Sequence, residues 1–424
     1  MKFDKKSGES ILLKNEVKEH LTNVIIPFWS KLRDDEYGGF YGFVDYDLNV
    51  HKEFTKGVIL HSRILWFYSN AYLLLGDKAC LDNATHAYEY ICKYCVDWER
   101  GGIYWSTKYN GEPEDTTKHT YNIAFCIYAL SSYYAASKEE KAIELAESLY
   151  QVIETKCRDD IGYLEAFKAD FQPESNEKLS ENGIVAQKTM NTLLHVFEAY
   201  TEFYRVTKKP EVKEKLCWML DQFADKVYSK ENNRLEVFFD EKMNSILDLH
   251  SYGHDIEAAW LIDRGCEVIQ DEAYTAKLSP ITKALTKSIY ERAYHKSSLW
   301  NECDRGHENK DRIWWVQAEA VLGFFNGYQQ DNSKTEYLEA SREIWKYIQE
   351  NLVDKREGSE WFWKVDDDGK VPAEQLSEKE METVKSIFGD LHNKKICKPI
   401  VEPWKCPYHN GRMCMEIMRR NLDV

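Results

Sequence analysis

Polar and apolar positions along the chain fall into two alternating textures. Long stretches carry apolar residues at helical spacing. Between them lie short aromatic pieces that contain glycine or turn residues and read as hairpins. The pieces are GGFYGFVDYD from Gly38, GGIYWSTKYNG from Gly101, IGYLEAFKADF from Ile161, RLEVFFDEKMN from Arg234, SSLWNECDRG from Ser297 and SEWFWKVDDDGK from Ser359. They recur about every 60 to 73 residues, a period that marks a repeat architecture.

Each hairpin precedes a helix rich in small, aromatic and selected polar residues, at about 56–75, 118–136, 185–206, 252–269, 311–329 and 407–421. Most of these are followed by an amphipathic helix with a charged face, at about 78–96, 138–156, 210–228, 274–293 and 334–352. An opening helix at about 10–32, kinked at Pro27, supplies the twelfth. Pairs in which one member is apolar all round and the other amphipathic describe two concentric rings. The expected fold is all-α, an (α/α)6 barrel: a toroid of twelve helices with short β-hairpins at one rim, formed by residues 1–424 as one domain. An open solenoid would want polar caps at both ends, and the pattern offers none. In the toroid the inner helices all run the same way, so their first turns converge at one rim beside the hairpins. The polar segments Ala169–Asn182 and Asp366–Pro399 are expected on the surface, the first as a candidate lid.

Composition narrows the class. Hydrophobic residues make up 43% and aromatic residues 14%, enough for a large core and for aromatic faces that suit sugars. A formal net charge of −16 argues against a nucleic-acid partner and favours an uncharged ligand. No apolar run approaches a membrane span, and the opening MKFDKKSGESILLK lacks the apolar core of a signal peptide. Eleven scattered cysteines suit free thiols in a reducing compartment. The expectation is a cytoplasmic protein, monomeric or weakly dimeric.

Candidate chemistry lies in the helices that should be buried. In VEPWKCPYHNGRMCMEIM from Val401, Pro407 suits the first helical position, which puts His409 in the first turn with Arg412 and Glu416 below it on one face. A His at a helix N-terminus is biased toward neutral imidazole, the form a general base needs. GHDIE sets His254 and Glu257 in a similar place. The other inner helices contribute His61, Arg63, Trp66 and Asn70; His119, Tyr121 and Asn122; Asn191, His195 and Glu198; and Arg312, Trp314, Trp315, Gln317 and Glu319. Each buried charge costs several kcal/mol unless paired, so repeated insertion of such groups points to a pocket. Taken singly, each has a structural alternative: a hydrogen-bonded core His, an Arg that neutralises a nearby Glu, a Trp that is plain core. Metal and redox readings are weaker. Cys92 and Cys95 form a CxxC inside an outer helix, and Cys406, His409 and Cys414 lack a second cysteine pair at ligand spacing. Phosphate-binding, dinucleotide and serine-nucleophile signatures are absent, and no metal or cofactor is expected.

The motifs KGVILHSRILWFYSNAY, NTLLHVFEAY, GHDIEAAWLI, RIWWVQAEAV and WKCPYHNGRMCMEI together resemble the N-acylglucosamine 2-epimerase superfamily, and within it the cellobiose 2-epimerase branch, over about Leu13 to Arg420. The resemblance implies the same α/α barrel and a cofactor-independent inversion at carbon 2 of the reducing-end sugar of β-1,4-linked disaccharides. It places the catalytic histidines at His254 and His409, with Arg63, Asn191, His195 and Glu257 in support. It places stacking tryptophans at Trp404 and in the Trp314–Trp315 pair, with Trp314 preferred. Tyr121, Trp66 and Glu319 complete the expected substrate-binding set. Leu193 and Leu194 depart from the family, which often has a more polar residue there. The alternatives are a monosaccharide 2-epimerase or aldose–ketose isomerase, a glycoside hydrolase using Glu257 and Glu319, and a non-catalytic sugar binder.

Overall fold

The computed structural model describes residues 5–178, 183–389, 391 and 394–420. In chain order its helices are α1 (Lys5–His20), α2 (Ile26–Ser30), α3 (Val58–Leu75), α4 (Lys78–Tyr90), α5 (Thr120–Ser137), α6 (Glu140–Lys156) and α7 (Met190–Thr207). There follow α8 (Pro210–Gln222), α9 (Tyr252–Ile269), α10 (Glu272–Arg292), α11 (Trp314–Gln330), α12 (Thr335–Tyr347), α13 (Glu378–Phe388) and α14 (His409–Arg419). α3, α5, α7, α9, α11 and α14 pack side by side in that order, and α14 closes the ring against α3. α4, α6, α8, α10 and α12 each cover the inner helix before them, while α1 covers α14. This is the (α/α)6 barrel, closed by pairing the first helix of the chain with the last.

The inner helices are buried on every side through most of their length: α3 without interruption from Val58 to Ala71, α5 from Thr120 to Tyr133. The outer helices bury one stripe; α6 buries Ala142, Leu145, Ala146, Leu149, Val152 and Ile153 and leaves its charged face to solvent. Two expectations need correction. The opening helix does not simply kink at Pro27. A π-turn at Leu21–Ile25 joins α1 to α2 and places Pro27 in the first turn of α2, where its missing N–H leaves no helical bond unmade. The Asp366–Pro399 segment is more than surface decoration. It carries α13, capped by a Ser377–Glu380 capping box, and Leu376, Val384 and Leu391 pack with Phe43 and Phe54 in a small core of their own. Of the candidate lid, residues 179–182 lie outside the described residues.

Short antiparallel strand pairs lead into most inner helices, and a repeated ion pair fixes three of them. Asp34 Oδ1 accepts the backbone N–H groups of Glu36 and Tyr37, while Oδ2 accepts Lys56 Nζ at 2.6 Å, two residues before α3. Asp97 does the same for Glu99, Arg100 and Lys118, and Asp159 for Ile161, Gly162 and Lys188. Each aspartate shapes a turn and clamps the lysine at the mouth of the next inner helix, so these first turns are set by buried charge as well as by apolar packing. No helix among the described residues is long and apolar enough to cross a membrane. The eleven cysteines are free thiols.

The Lys118 and Asp97 side chains are 0% and 2% exposed, so removing one partner strands a buried charge. Lys118→Met should lower unfolding free energy by about 3–5 kcal/mol. Pairing it with Asp97→Asn, which keeps the turn but removes the charge, should recover most of that loss in denaturant titration. Equal losses in the single and double variants would remove the ion pair from this account.

Candidate active site

The first turns of the inner helices bring the polar residues to one rim. His409 is the first residue of α14, with Tyr408 as its N-cap, so the helix opens two residues later than Pro407 suggested. His254 is the third residue of α9. Both imidazoles face Trp315, His254 at 4.8 Å and His409 at 5.4 Å between ring centroids. Trp315 reaches α9 because residue 253 is glycine. A Cβ there would lie 2.6 Å from the indole, which no packing allows.

The two histidines are held differently. His409 Nδ1 meets Glu319 Oε1 at 2.7 Å, and His254 Nδ1 meets Ser251 Oγ at 2.7 Å. Among the described residues neither Nε2 has a hydrogen-bond partner, so the second nitrogen of each ring is available. Burial lowers the His254 pKa to about 3. Burial, with the Arg412 and Arg63 guanidiniums nearby, holds His409 well below the ordinary imidazole value. Both are neutral near pH 7.

Behind His409 lies a buried knot of charge. Arg412 bonds Glu198 and Tyr408 through one terminal nitrogen, and Glu257 and Glu319 through the other, the last at 2.7 Å. Glu319 Oε2 also accepts Trp260 Nε1 at 2.9 Å, and Glu198 accepts His195 Nδ1 at 2.8 Å and the Tyr408 hydroxyl. Three carboxylates around one guanidinium cannot all stay ionised cheaply. Burial opposes the Glu198 carboxylate, yet Arg412, His195 and Tyr408 together hold its pKa down to about 2. Burial and repulsion from Glu319 outweigh Arg412 at Glu257 and push its pKa up to about 8; burial raises Glu319 as well, so the Glu257–Glu319 pair holds a proton at neutral pH. Its Oε2 is buried without a hydrogen-bond partner. Donor atoms of Glu257, Glu319 and His409 lie within 4.8 Å of one another, the one such grouping among the described residues. The cation in their midst is the Arg412 guanidinium.

Arg63 stands on α3, which packs against α14. Its guanidinium donates to the Tyr121 hydroxyl at 2.9 Å and the Trp404 carbonyl at 3.3 Å, and lies 4.3 Å from the Phe125 ring centroid. Among the described residues it forms no ion pair, which removes the reading of Arg63 as a neutraliser of a nearby Glu. Trp404 meets the Tyr121 ring at 6.1 Å and the Trp105 ring at 5.7 Å, forming an aromatic corner at the mouth. Asn191, second residue of α7, has a buried Oδ1 without a hydrogen-bond partner.

Several sequence-based assignments change. Glu257 does not contact His254; it bonds Arg412 and lies 3.9 Å from His409 Nδ1. Glu319, expected to bind substrate, has both oxygens engaged behind His409. Trp66 is 2% exposed, stacked on Tyr128 and edge-on to Tyr408, and belongs to the barrel core. The preference for Trp314 reverses, because Trp314 is buried while Trp315 is partly open and touches both histidines. His61 is structural, clamped between the Gly57 carbonyl and the Phe40 amide. Arg312 binds Ser298 and Asp367, and Gln317 pairs with the Leu299 backbone, both away from the histidines. Arg412 is the ion-pairing residue of the structural alternative, and Glu416 pairs with Arg419 instead of joining it. Cys406 Sγ faces Arg63 at 3.9 Å. Leu193 and Leu194 are buried, so the departure there leaves the rim polar groups in place. Ser251, Tyr408 and Trp105 escaped the sequence reading. Ser251 and Tyr408 stand next to or near a motif histidine, and adjacency was the one signal available.

Comparisons with known proteins agree with this geometry. The family model described as N-acylglucosamine 2-epimerase (GlcNAc 2-epimerase) matches residues 27–381. The chain is 48% identical to cellobiose 2-epimerase of Ruminococcus albus over 97% of this chain and 99% of that one. It is 47% identical to cellobiose 2-epimerase of Eubacterium cellulosolvens, over 97% and 100%. The crystal structure of a sugar epimerase from a ruminal bacterium superposes with a TM-score of 0.90 at 47% identity, covering 97% of this chain and all of that one (100%). A matching family model over most of the chain, near-full-length relatives at almost half identity and a shared barrel lead to one conclusion: the chain belongs to the N-acylglucosamine 2-epimerase family of carbohydrate epimerases.

Proposed function

We propose that this protein reversibly inverts carbon 2 of the reducing-end sugar of β-1,4-linked disaccharides, converting cellobiose to 4-O-β-glucosyl-mannose, with lactose or mannobiose as further substrates. The observation that carries the reading is the pair His254 and His409 on two inner helices, flanking one tryptophan, each with Nδ1 engaged and Nε2 free. The near-full-length likeness to cellobiose 2-epimerases supports the choice of substrate.

Inversion through a proton needs access to both faces of carbon 2. The sugar first opens to the aldehyde, which makes the carbon-2 hydrogen acidic. One neutral imidazole removes that proton and leaves a cis-enediolate. The intermediate turns about the bond between carbons 2 and 3. The other imidazole, neutral at rest, takes up a solvent proton beside the anionic enediolate and returns it to the opposite face, while the first imidazole releases its proton to solvent. Positioned acid–base groups of this kind contribute about 10² to 10⁴ in rate. Negative charge on the enediolate oxygens calls for donors without a competing carboxylate, and Arg63 is such a group, with His195 beside Tyr121. Trp315 and Trp404 offer ring faces to the sugar, and the half-buried Asn191 at the start of α7 a side-chain amide. Every group the scheme uses is a side chain of this protein, and no cofactor or metal is called for. The hydrolase alternative fits less well. Its two carboxylates would flank a glycosidic bond, whereas Glu257 and Glu319 share one Arg412 nitrogen.

Cellobiose incubated with the protein in heavy water should yield the glucose–mannose disaccharide with deuterium at carbon 2 and the glycosidic bond intact, read by NMR. Free glucose would establish hydrolysis, and an unchanged spectrum would leave only binding. A chelator should not alter turnover, and no nicotinamide should be needed.

His254→Ala and His409→Ala should each reduce inversion by about 10² or more. Their melting temperatures should stay near that of the parent. Loss of melting temperature with retained turnover per folded molecule would assign the two rings to structure.

The pH profile follows from the shifted groups. Both imidazoles lie below their ordinary value, so activity should not fall between pH 7 and pH 6 as it would for an exposed His base. Deprotonation of Glu257 near pH 8 adds a negative charge beside His409 and unbalances the charge around Arg412, giving an alkaline fall in kcat/KM. Glu257→Gln should abolish that limb; a limb unchanged in this variant would place the titration elsewhere.

A further inference from the structure

The two histidines rest on chemically different supports, and the support of His254 is gained at the expense of its helix. Ser251 is the N-cap of α9, where a serine side chain normally accepts a backbone N–H of the first turn. Here it makes no such bond. Its hydroxyl lies 2.7 Å from His254 Nδ1 instead, three residues on. The serine ends a strand, Leu249–Ser251, whose pairing with Glu302–Asp304 holds its backbone, with Ser251 opposite Glu302. Below it the first turn of α9 is anchored separately, by Asp255 to His250 at 2.8 Å and to the Leu235 amide. Ser251 is 6% exposed, so no bulk water competes for the ring nitrogen.

We propose that Ser251 is the positioning residue of His254, and that it makes the two proton-transferring groups unequal; this rests on the two-histidine reading above. An Oγ lone pair accepts Nδ1–H both when His254 is neutral and when it is imidazolium. Ser251 therefore fixes the tautomer with the Nε2 lone pair toward the sugar, in both halves of a reversible cycle. A neutral hydroxyl does this without stabilising imidazolium as a carboxylate does. Glu319 performs the same orienting task for His409 with a charge. The two imidazoles thus stand on supports of different charge and are not interchangeable.

Inversion needs both imidazoles, whereas exchange of the carbon-2 hydrogen with solvent, without inversion, needs only the one on that hydrogen's face. The full chain carrying Ser251→Ala should be followed by NMR in heavy water from each of the two pure epimers, cellobiose and glucosyl-mannose. The expected result is inversion slowed about 10- to 100-fold in both directions, below the full contribution of an acid–base residue. One epimer should still gain deuterium at carbon 2 at near-parent rate, and the other should not. Ser251→Thr, which keeps the hydroxyl, should restore inversion, and melting temperature should be little changed in both variants. Equal loss of exchange from both epimers, or unchanged inversion in Ser251→Ala, would overturn the proposal. If Ser251→Ala does not fold, Ser251→Thr and the near-isosteric but weakly accepting Ser251→Cys are compared in the same assay. Equal exchange patterns in those two would overturn it likewise. Failure of the underlying reading is separate, because the unaltered protein would then show neither inversion nor labelling.

Discussion

The Arg412 guanidinium, enclosed by Glu198, Glu257 and Glu319, is the interaction on which the rim depends. The four groups come from four inner helices, α14, α7, α9 and α11, so the cluster ties non-adjacent staves of the barrel across its axis. Through it both His409 and His195 are oriented, one by Glu319 and the other by Glu198. A fully buried guanidinium is costly alone and strongly favourable with this many oxygens around it. The surplus of carboxylates is then met by a proton on the Glu257–Glu319 pair instead of by a second cation. Fold stability and site protonation are therefore the same electrostatic problem.

The closed ring explains how such a cluster is possible. In an open array, residues of α7 and α14 would be separated by two intervening repeats. Closure of α14 onto α3 puts every first turn on one circumference, where side chains reach inward and meet. The turns that deliver these first residues are fixed by Asp–Lys pairs whose lysines, Lys56, Lys118 and Lys188, are buried, so the rim groups stand on helix starts held by a rigid frame. On the neighbouring α3, Arg63, cushioned by Phe125 and Tyr408 rings, keeps a positive charge free of carboxylates. The rim thus holds one compensated cation, Arg412, and one without a carboxylate partner among the described residues, a polarity suited to an intermediate that becomes anionic.

Helical periodicity alone placed the twelve barrel helices to within five residues at either end, because apolar spacing and glycine-bearing hairpins are local signals that each repeat restates. The expected span 252–269 coincides with α9, and 210–228 with α8 and its π-turn. The same local signals drew His254 and His409, in first turns, and Arg63 and His195, one turn further in, toward one rim, since depth along each helix follows from its direction. Hidden from them were α13, whose small core forms with Phe43 and Phe54 far back in the chain, and the π-turns, which leave apolar spacing almost unaltered.

Which polar group meets which was beyond the sequence. Spacing of three set Glu257 on the His254 face, yet the structure turns Glu257 across the axis to Arg412 and gives His254 a serine. Spacing was equally silent on Trp314 against Trp315, which both lie 5.4 Å from the His409 ring, the first buried and the second partly open and also against His254. Residue types and helical register are written locally, and so the sequence determined the barrel and the roster of its rim. Partnerships across the barrel depend on how the inner helices rotate against one another, which is set by packing of the whole ring, and only the tertiary structure decided them.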